Sequence, residues 1–441
     1  MLRPLIFKTL ITNFGITALG LVNSILLSRW LGPTGRGEVA AAMLWPTLLV
    51  YLSSMGLIAA IVYFAALPES KPQQLFANST VLGVLQSAAA VAVGFVALPW
   101  LLGSQNPAVI SAARLFLLII PIGLMCQYGM SILQGRMQIS SFNWLRVIAP
   151  LGYLIGTVAF MIVGRLELFN IIVLQLFLNA VALVGILIAL SRAGVKLSLR
   201  TDNHLAKKML KYGGKVHVGN ISGLANLNLD QVLMAALLPP ASLGLYVVAV
   251  SAASVSQVFS QAVQMVSVPS IAQRESAAER ASVLQGVFRR YWLFSFILTL
   301  AIAAVLPIAI PLVFGVSFKE SVWPAEILLA GILFLGAQGV LAGGAQALGN
   351  PWLGSKSQLW GMLVTVVLLY LLLPVIGIVG AAIASTAAYA TQLAIVIHGL
   401  RRFHGISPAE LFRFRVGDLS AALNISDLIK GQRARLLSDQ S

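Results

Sequence analysis

The sequence has little charge and almost no cysteine. Only 10% of its 441 residues are charged and 59% are hydrophobic, against about 25% and roughly 45 to 50% in soluble domains. A soluble core of this length would need a charged shell, which this chain lacks over most of its length. The composition therefore excludes an ordinary soluble protein and predicts one whose solvent is the lipid bilayer.

The chain also lacks the residue clusters that support catalysis or metal binding. The one cysteine, Cys126, excludes an internal disulfide and a cysteine-based metal site. The four histidines, at positions 204, 217, 398 and 404, have no metal-ligand spacing on one helical face. No carboxylate pair or nucleophile motif is present, and no outer loop is large enough to carry acid/base groups. We therefore expect no enzyme activity, no bound metal and no resident cofactor.

Long apolar runs fill the chain evenly. A hydrocarbon core of about 30 Å requires about 20 mostly apolar residues per helical span. Twelve such runs lie near residues 9–31, 39–66, 78–102, 110–134, 144–164, 168–190, 216–238, 243–268, 291–314, 324–348, 355–374 and 377–399. The sequence predicts an all-α polytopic membrane protein with about 12 transmembrane helices in two six-helix lobes.

The runs and the charges between them predict four parts. The N-terminal six-helix lobe covers residues 1–191, and a basic cytoplasmic linker covers residues 192–215. The C-terminal six-helix lobe covers residues 216–401, and a cytoplasmic amphipathic tail covers residues 402–441. The linker contains a short helical pattern, HLAKKMLKY, which we expect to lie on the inner membrane surface.

The tail begins with the signature of a capped helix. Ser407, Pro408 and Glu410 are expected to be the N-cap, the first helical residue and the capping-box partner. The apolar residues that follow are Leu411, Phe412 and Phe414. We expect this helix to lie on the membrane.

Basic residues are unevenly distributed when the N-terminus is drawn inside. On the outer side fall Arg29, Arg36, Arg114, Arg165 and Lys319, which are 5 of the 29 lysines and arginines. The other 24 fall inside or at inner helix ends, as the positive-inside rule describes. We expect a multi-pass protein of the cell (inner) membrane with cytoplasmic N- and C-termini. Its net charge of +16 then faces anionic lipid headgroups, and no nucleic-acid partner is expected.

The two halves resemble each other. A constant offset of 207 aligns LGPTGRGEVAAA at residues 31–42 with LPPASLGLYVVA at residues 238–249. The same offset pairs Pro33 with Pro240 and Gly37 with Gly244. Because six spans return the chain to the inside, the halves would be parallel repeats related by an axis along the membrane normal. That arrangement predicts a transporter with a central cavity between its lobes.

Polar residues recur on one face of two predicted spans. In the first span they are Thr9, Asn13, Thr17, Gly20 and Ser24, and in the seventh they are Gly219, Gly223, Asn226 and Asp230. Polar groups in lipid usually face a cavity or one another, and we expect Asn13, Thr17, Ser24 and Asn226 to line a cavity. Close helix packing through small residues is the alternative reading.

Asp230 is the one acid placed well within a span, so it must be paired, protonated or bound to a cation. A coupling proton or sodium ion and a charge pair with a cavity cation are the two alternatives. Cations at or just inside span ends, which would form the substrate pathway, are Arg29, Arg114, Arg146, Lys215 and Lys356. Snorkelling of these side chains to the interface is the alternative for each.

Four stretches carry a family resemblance. They are LSRWLGPTGRGE, ILQGRMQISSFNWLR, LDQVLMAALLPPASLGLYVVAV and LLLPVIGIVGAAIASTAAY. With them the chain resembles the oligosaccharide flippases, a branch of the superfamily that also holds the multidrug and toxin extrusion antiporters and the lipid II flippase. The resemblance covers nearly the whole chain, and it extends most directly to Arg146 in FNWLR and Asp230 in LDQ. Many relatives have a basic residue where this chain has Asn228, so the resemblance does not imply a local charge pair for Asp230.

The resemblance implies a V-shaped, two-lobe transporter that works by alternating access. Its substrate would be an undecaprenyl-diphosphate-linked oligosaccharide, moved from the cytoplasmic to the outer leaflet for cell-surface polysaccharides such as O-antigen or exopolysaccharide. The implied partners are that lipid-linked oligosaccharide, membrane lipids, a polysaccharide polymerase and other assembly proteins. A drug/cation antiporter of the same superfamily is the alternative, although it would favour several intramembrane acids.

Overall fold

The computed structural model describes residues 2–195 and 200–413, and within these ranges the chain is helical with no β-strand. Its α-helices are α1 Leu2–Ser53, α2 Leu57–Ala66, α3 Pro72–Leu101, α4 Pro107–Phe116, α5 Ile119–Gly135, α6 Ile139–Ile162, α7 Leu168–Arg192, α8 Asn203–Leu237, α9 Pro240–Ala253, α10 Gln257–Ala272, α11 Ala277–Phe314, α12 Val322–Ala347, α13 Trp352–His404 and α14 Pro408–Phe412. The predicted all-α class is confirmed.

Nine helical segments of the described chain are long and apolar enough to cross a membrane. They are Lys8–Ser53, Pro72–Leu101, Pro107–Gly135, Ile139–Ile162, Leu168–Arg192, Pro240–Gln264, Ala277–Phe314, Val316–Ala347 and Trp352–His404. A polytopic membrane protein is therefore confirmed. Several segments are far longer than the roughly 20 residues that one span needs.

Two of the longest helices are broken by backbone that only glycine adopts easily. In α1, Gly32 has φ 66° and ψ −175°, and in α13, Gly377 has φ 55° and ψ −133°. These breaks fall where the sequence predicts turns, between residues 31 and 39 and between residues 374 and 377. A positive φ has little steric cost for glycine, so the chain can change direction there without leaving helical structure for more than one or two residues.

Elsewhere the breaks differ from the sequence prediction. The second predicted span, residues 39–66, is interrupted after Ser53, where Met55 (φ 47°) and Gly56 (φ 72°) both have positive φ. Conversely, the helix predicted within the basic linker continues without a break into the seventh predicted span as α8. The hydrophobicity of the sequence identifies only the apolar C-terminal half of α8. The backbone is helical through the polar N-terminal half as well, because helical hydrogen bonds do not require burial.

The chain divides into two compact units. The first contains the residues up to Ser251 together with Ile310–Ser321, and the second contains Ala252–Ala309 together with the described residues from Val322 onward. In the first unit, two hydrogen bonds of 3.0 Å fix the start of α8. The Asn78 side chain donates one to the Asp202 carbonyl and accepts the other from the Asp202 N–H. The Asp202 carboxylate also accepts the backbone N–H groups of Leu205 and His204, and these bonds lower the pKa of Asp202.

The second unit holds the start of the predicted tail. The Ser407–Glu410 capping box is present, which confirms the predicted helix start. Leu411 is fully buried, and the ring of Phe412 packs edge-to-face on Phe288 and Trp292. The expectation that this helix lies on the membrane is therefore wrong for its described residues, because α11 offers an apolar surface that covers it. Phe414 lies outside the described residues.

In the first unit, α1 and α9 touch through a reciprocal backbone contact. A Cβ atom on Gly37 would overlap the carbonyl oxygen of Pro240, and one on Gly244 would overlap the carbonyl oxygen of Pro33. These four residues are the ones that the offset of 207 pairs. Only glycine allows two helix backbones to approach this closely.

We expect Gly37→Ala and Gly244→Ala each to destabilise the protein by about 1 to 3 kcal/mol, because the added methyl group meets backbone that cannot move aside as a side chain can. Thermal unfolding of the purified, detergent-solubilised protein measures the effect. Gly15→Ala is the matched control, since its Cβ would have no atom within 4 Å. Equal melting temperatures for all three variants would contradict a tight crossing.

Candidate functional site

A cavity of about 590 Å³ lies inside the first unit. Its walls come from both halves of α1, from α6, α7 and α8, and from one residue of α9. The polar residues that line it are Asn23, Ser24, Arg36, Thr47, Tyr51, Tyr153, Gln175, Asn179, Asn228 and Gln231. The remaining lining is mostly aliphatic, so the cavity combines an apolar wall with a set of hydroxyl and amide groups, as ligand pockets do.

Arg36 gives this cavity its charge. Among the described residues that line the cavity, Arg36 is the one lysine or arginine, and none is aspartate or glutamate. A guanidinium stays protonated under all physiological conditions. The cavity therefore carries a formal charge of one positive unit with no carboxylate lining it to neutralise that charge.

The groups around Arg36 are polar but neutral. Arg36 interacts electrostatically with Tyr153, whose hydroxyl is hydrogen-bonded to the side chains of Gln175 and Asn23. These four residues come from α1, α6 and α7. Each of them also lines the cavity. Helices that are far apart in sequence thus meet around one cation.

Two buried polar atoms of this group have no hydrogen-bond partner in the described chain, Arg36 Nε and Asn23 Oδ1. Buried polar groups are nearly always satisfied, and an unsatisfied one costs about 1 to 3 kcal/mol. One atom is a donor and the other an acceptor, and both are buried away from the cavity surface.

Asp230 lies next to the cavity in sequence but does not line it. Asn228 and Gln231 line the cavity, whereas Asp230 is 5% exposed and accepts a hydrogen bond of 2.5 Å from the Tyr246 hydroxyl. Its other carboxylate oxygen accepts from the backbone N–H of Gln231 at 2.7 Å. Asp230 therefore joins α8 to α9, and its role in ion coupling or charge pairing remains a prediction.

The cations predicted for a substrate pathway have other surroundings. Arg29 donates to the backbone carbonyls of Leu312 and Val313, near the last residue of α11. The guanidinium of Arg114 lies 4.5 Å from the ring centroid of Phe95, and that of Arg146 lies 5.2 Å from the ring centroid of Phe142. Lys215 and Lys356 are exposed.

None of these five cations is among the described residues that line the 590 Å³ cavity. The structure therefore does not bring them together there, and their place in a pathway remains a prediction. Arg29 is bonded to helix-end carbonyls, which always need partners from outside their own helix. The aromatic rings beneath Arg114 and Arg146 are favourable neighbours for a guanidinium.

Of the predicted cavity-lining residues, Ser24 lines the cavity, and its hydroxyl lies 3.2 Å from the Ser251 hydroxyl. Asn13, Thr17 and Asn226 are not among the described lining residues. Thr17 is exposed and donates to the Asn13 carbonyl at 3.0 Å, and Asn226 is buried. The predicted polar stripe on α1 therefore turns only partly toward this cavity.

Arg36 is the residue that the sequence analysis missed. Charge counting assigned it to the outer side, because it follows the first predicted span within LGPTGRGE. The resemblance between the two halves offers a sequence signal for an inward-facing Arg36. The offset of 207 pairs Arg36 with Leu243, which is fully buried. An arginine that occupies the position of a buried leucine in a related segment is a candidate for an internal charge.

Comparison with known proteins agrees with this architecture. A protein-family model described as "Polysaccharide biosynthesis protein" matches residues 6–275. Among curated proteins, the chain is 24% identical over 285 residues to "Probable low-salt glycan biosynthesis flippase Agl15" of Haloferax volcanii. That alignment covers 64% of this chain and 59% of the relative's length.

Two solved structures show the same fold. The lipid II flippase MurJ in an inward closed conformation matches with a TM-score of 0.67 and 14% identity, over 96% of this chain and 99% of that one. An inward-facing multidrug resistance MATE family transporter of the MOP superfamily matches with a TM-score of 0.73 and 14% identity, over 89% of this chain and 95% of that one. The resemblance stated from sequence is confirmed, and the chain shares the fold of these two proteins.

Removing the hydroxyl that binds Asp230 tests the α8–α9 connection. We expect Tyr246→Phe to lower the free energy of unfolding by about 1.5 to 3 kcal/mol, because a buried carboxylate loses a hydrogen bond. Thermal unfolding in detergent measures this loss. Tyr370→Phe is the control, since Tyr370 is 79% exposed. If both variants have the melting temperature of the wild type, the hydrogen bond between Tyr246 and Asp230 contributes no stability.

Proposed function

The chain belongs to the polysaccharide biosynthesis protein family, and from that premise we propose that it is a flippase for a polyprenyl-diphosphate-linked oligosaccharide. It would move this lipid from the cytoplasmic to the outer leaflet, by alternating access, during cell-surface polysaccharide biosynthesis. The name of the Haloferax relative and the fold shared with the lipid II flippase MurJ support the proposal.

The observation that carries this proposal is the charge of the cavity. Arg36 has no carboxylate beside it among the described lining residues, and its Nε has no hydrogen-bond partner. A diphosphate cannot enter a membrane protein unless cations and dipoles replace its water. Arginine suits this task because its planar fork of donors matches phosphate oxygens in pairs.

The rest of the cavity suits sugar. Asn23, Gln175 and Asn179 provide amide groups, and Ser24 and Tyr153 provide hydroxyls, so both donors and acceptors are available for sugar hydroxyls. A volume of about 590 Å³ lies within the usual range of roughly 300 to 1,000 Å³ for small-ligand sites. The cavity would therefore hold the diphosphate and the first sugars, while the apolar polyprenyl chain stays in lipid.

Export of this substrate does not require an ion gradient. An inside-negative membrane potential favours outward movement of negative charge by about 2.3 kcal/mol per charge per 100 mV. The diphosphate carries more than one such charge. We therefore assign Asp230 a role in holding α8 against α9, and a coupling proton or sodium ion at that residue remains the alternative.

The proposed architecture has about 12 spans in two six-helix lobes that are related as parallel repeats around a central cavity. Breaks at Gly32 and Gly377 would each divide one long helix into two spans, and α8 would supply one more. The reciprocal contact of Gly37 and Gly244 favours the repeat, because symmetry-related residues meet each other across a twofold axis.

We place the protein in the cell (inner) membrane with both termini in the cytoplasm, because that orientation puts 24 of its 29 basic residues inside or at inner helix ends. The proposed partners are membrane lipids, a polysaccharide polymerase and other assembly proteins that act on the exported oligosaccharide. The five predicted cations, Arg29, Arg114, Arg146, Lys215 and Lys356, remain proposals for parts of the path outside the 590 Å³ cavity.

A drug/cation antiporter of the same superfamily is the second candidate, favoured by the MATE-type fold. Such a transporter needs acidic groups that bind its cations. The described cavity lining contains none and contains an arginine, which would repel a cationic drug. The charge of the cavity therefore favours the flippase.

We expect Arg36→Ala to slow flipping about tenfold to a hundredfold, because the diphosphate loses charge-assisted hydrogen bonds worth about 1.5 to 3 kcal/mol. Arg36→Lys should restore part of the rate, since the charge returns without the paired donors. The measurement is the access of lipid-linked oligosaccharide to an external sugar-modifying enzyme, in cells that lack the native protein and express each variant.

Arg165→Ala is the matched control, because Arg165 belongs to the same unit but is exposed and does not line the cavity. Variants are compared at equal protein level in the membrane. Normal flipping by Arg36→Ala would refute the role of Arg36. Unchanged leaflet distribution in cells without the protein, together with altered drug tolerance, would replace the flippase with the antiporter.

A further inference from the structure

A second concave surface of the first unit lies between the N-terminal part of α1 and the start of α6. It is a groove of about 710 Å³, and its lining runs along α1 from Lys8 to Val22. At 1.5 Å per helical residue this length is about 21 Å. Large exposed side chains at its edge, Ile11 and Trp144, show that the groove opens outward.

The groove is polar at one end and apolar along the rest. Its four polar lining residues are Lys8, Thr12, Ser140 and Asn143, all within the first turns of α1 or α6 as described. The lining beyond them consists of Gly15, Ala18, Leu19, Val22 and Val147. A cation with hydrogen-bonding groups at one end of a long apolar track matches a lipid that has a headgroup and a hydrocarbon chain.

Asn143 joins α6 to α1 at this end of the groove. Asn143 is 5% exposed, and its Nδ2 donates to the Thr9 hydroxyl at 2.9 Å. Its Oδ1 is buried and has no hydrogen-bond partner in the described chain. Thr9 immediately follows Lys8 in α1, so this bond holds the start of α6 against the polar end of the groove.

We propose that this groove binds one anionic phospholipid through its phosphate and one acyl chain. Lys8 donates to the phosphate, and the hydroxyls of Thr12 and Ser140 line the same end of the groove. One acyl chain lies along Gly15, Leu19 and Val22. The charge of the groove supports this occupant, because none of its described lining residues is acidic. The proposal concerns a resident lipid and does not depend on which substrate the protein transports.

Native mass spectrometry of the purified full-length protein tests this site, with phosphatidylglycerol and phosphatidylcholine of identical acyl chains at equal concentration. We expect preferential binding of phosphatidylglycerol. Lys8→Ala should reduce its occupancy about fivefold, which corresponds to the loss of one lysine near a lipid phosphate. Phosphatidylcholine occupancy should not change.

Two further variants separate the headgroup from the chain. Gly15→Leu should exclude both lipids, since the side chain would enter open space in the groove and not strain the fold. Arg165→Ala, an exposed arginine of the same unit, is the control and should bind like the wild type. Equal binding of the two lipids by the wild type, or unchanged phosphatidylglycerol occupancy in Lys8→Ala, would overturn the proposal. So would binding of farnesyl phosphate in place of phosphatidylglycerol.

Discussion

The structure depends on one constraint, which is that hydrocarbon offers no hydrogen bonds to a buried polar group. Helices satisfy the backbone internally, and many hydroxyls follow by donating to the carbonyl four residues earlier, as Ser28, Ser79, Ser87, Ser131 and Thr365 do. Some buried polar atoms of the described chain have no partner even so. Arg36 Nε and Asn23 Oδ1 are two of them and belong to residues that line the 590 Å³ cavity.

The positions of residues around the α8 helix keep Asp230 out of the cavity that contains Arg36. Asn228 and Gln231 are three residues apart and lie on one face of α8, which lines the cavity. Asp230 lies two residues after Asn228 and so points about 200° away from it, toward α9 and the Tyr246 hydroxyl. The carboxylate is thereby kept out of the cavity that contains Arg36. An acid at position 228 or 231 would instead line the cavity together with Arg36 and offset its positive charge.

Much of the fold could be predicted from the sequence, but much less of the site. Apolar length predicted membrane-spanning helices, and nine helical segments of the described chain meet that requirement. The interruption at Met55 and Gly56 was not predicted, because the short polar stretch at Ser53 and Ser54 lies within the single span drawn over residues 39–66. The candidate cations are those at or just inside the ends of the predicted spans, a choice based on depth alone. Depth does not reveal that Arg29 bonds to the carbonyls of α11, or that Arg36 turns inward, since both depend on which helices meet.

The contact between Gly37 and Gly244 holds the backbone of the neighbouring Arg36 in place. Arg36 immediately precedes Gly37, whose backbone lies against the Pro240 carbonyl. Two backbones in contact cannot yield as side chains do, so the Cα of Arg36 is held while its long side chain spans the distance to Tyr153. The related segment has Leu243 at the equivalent position, which packs in the core. The crossing of α1 and α9 therefore holds the backbone next to the one lysine or arginine among the described residues that line the cavity.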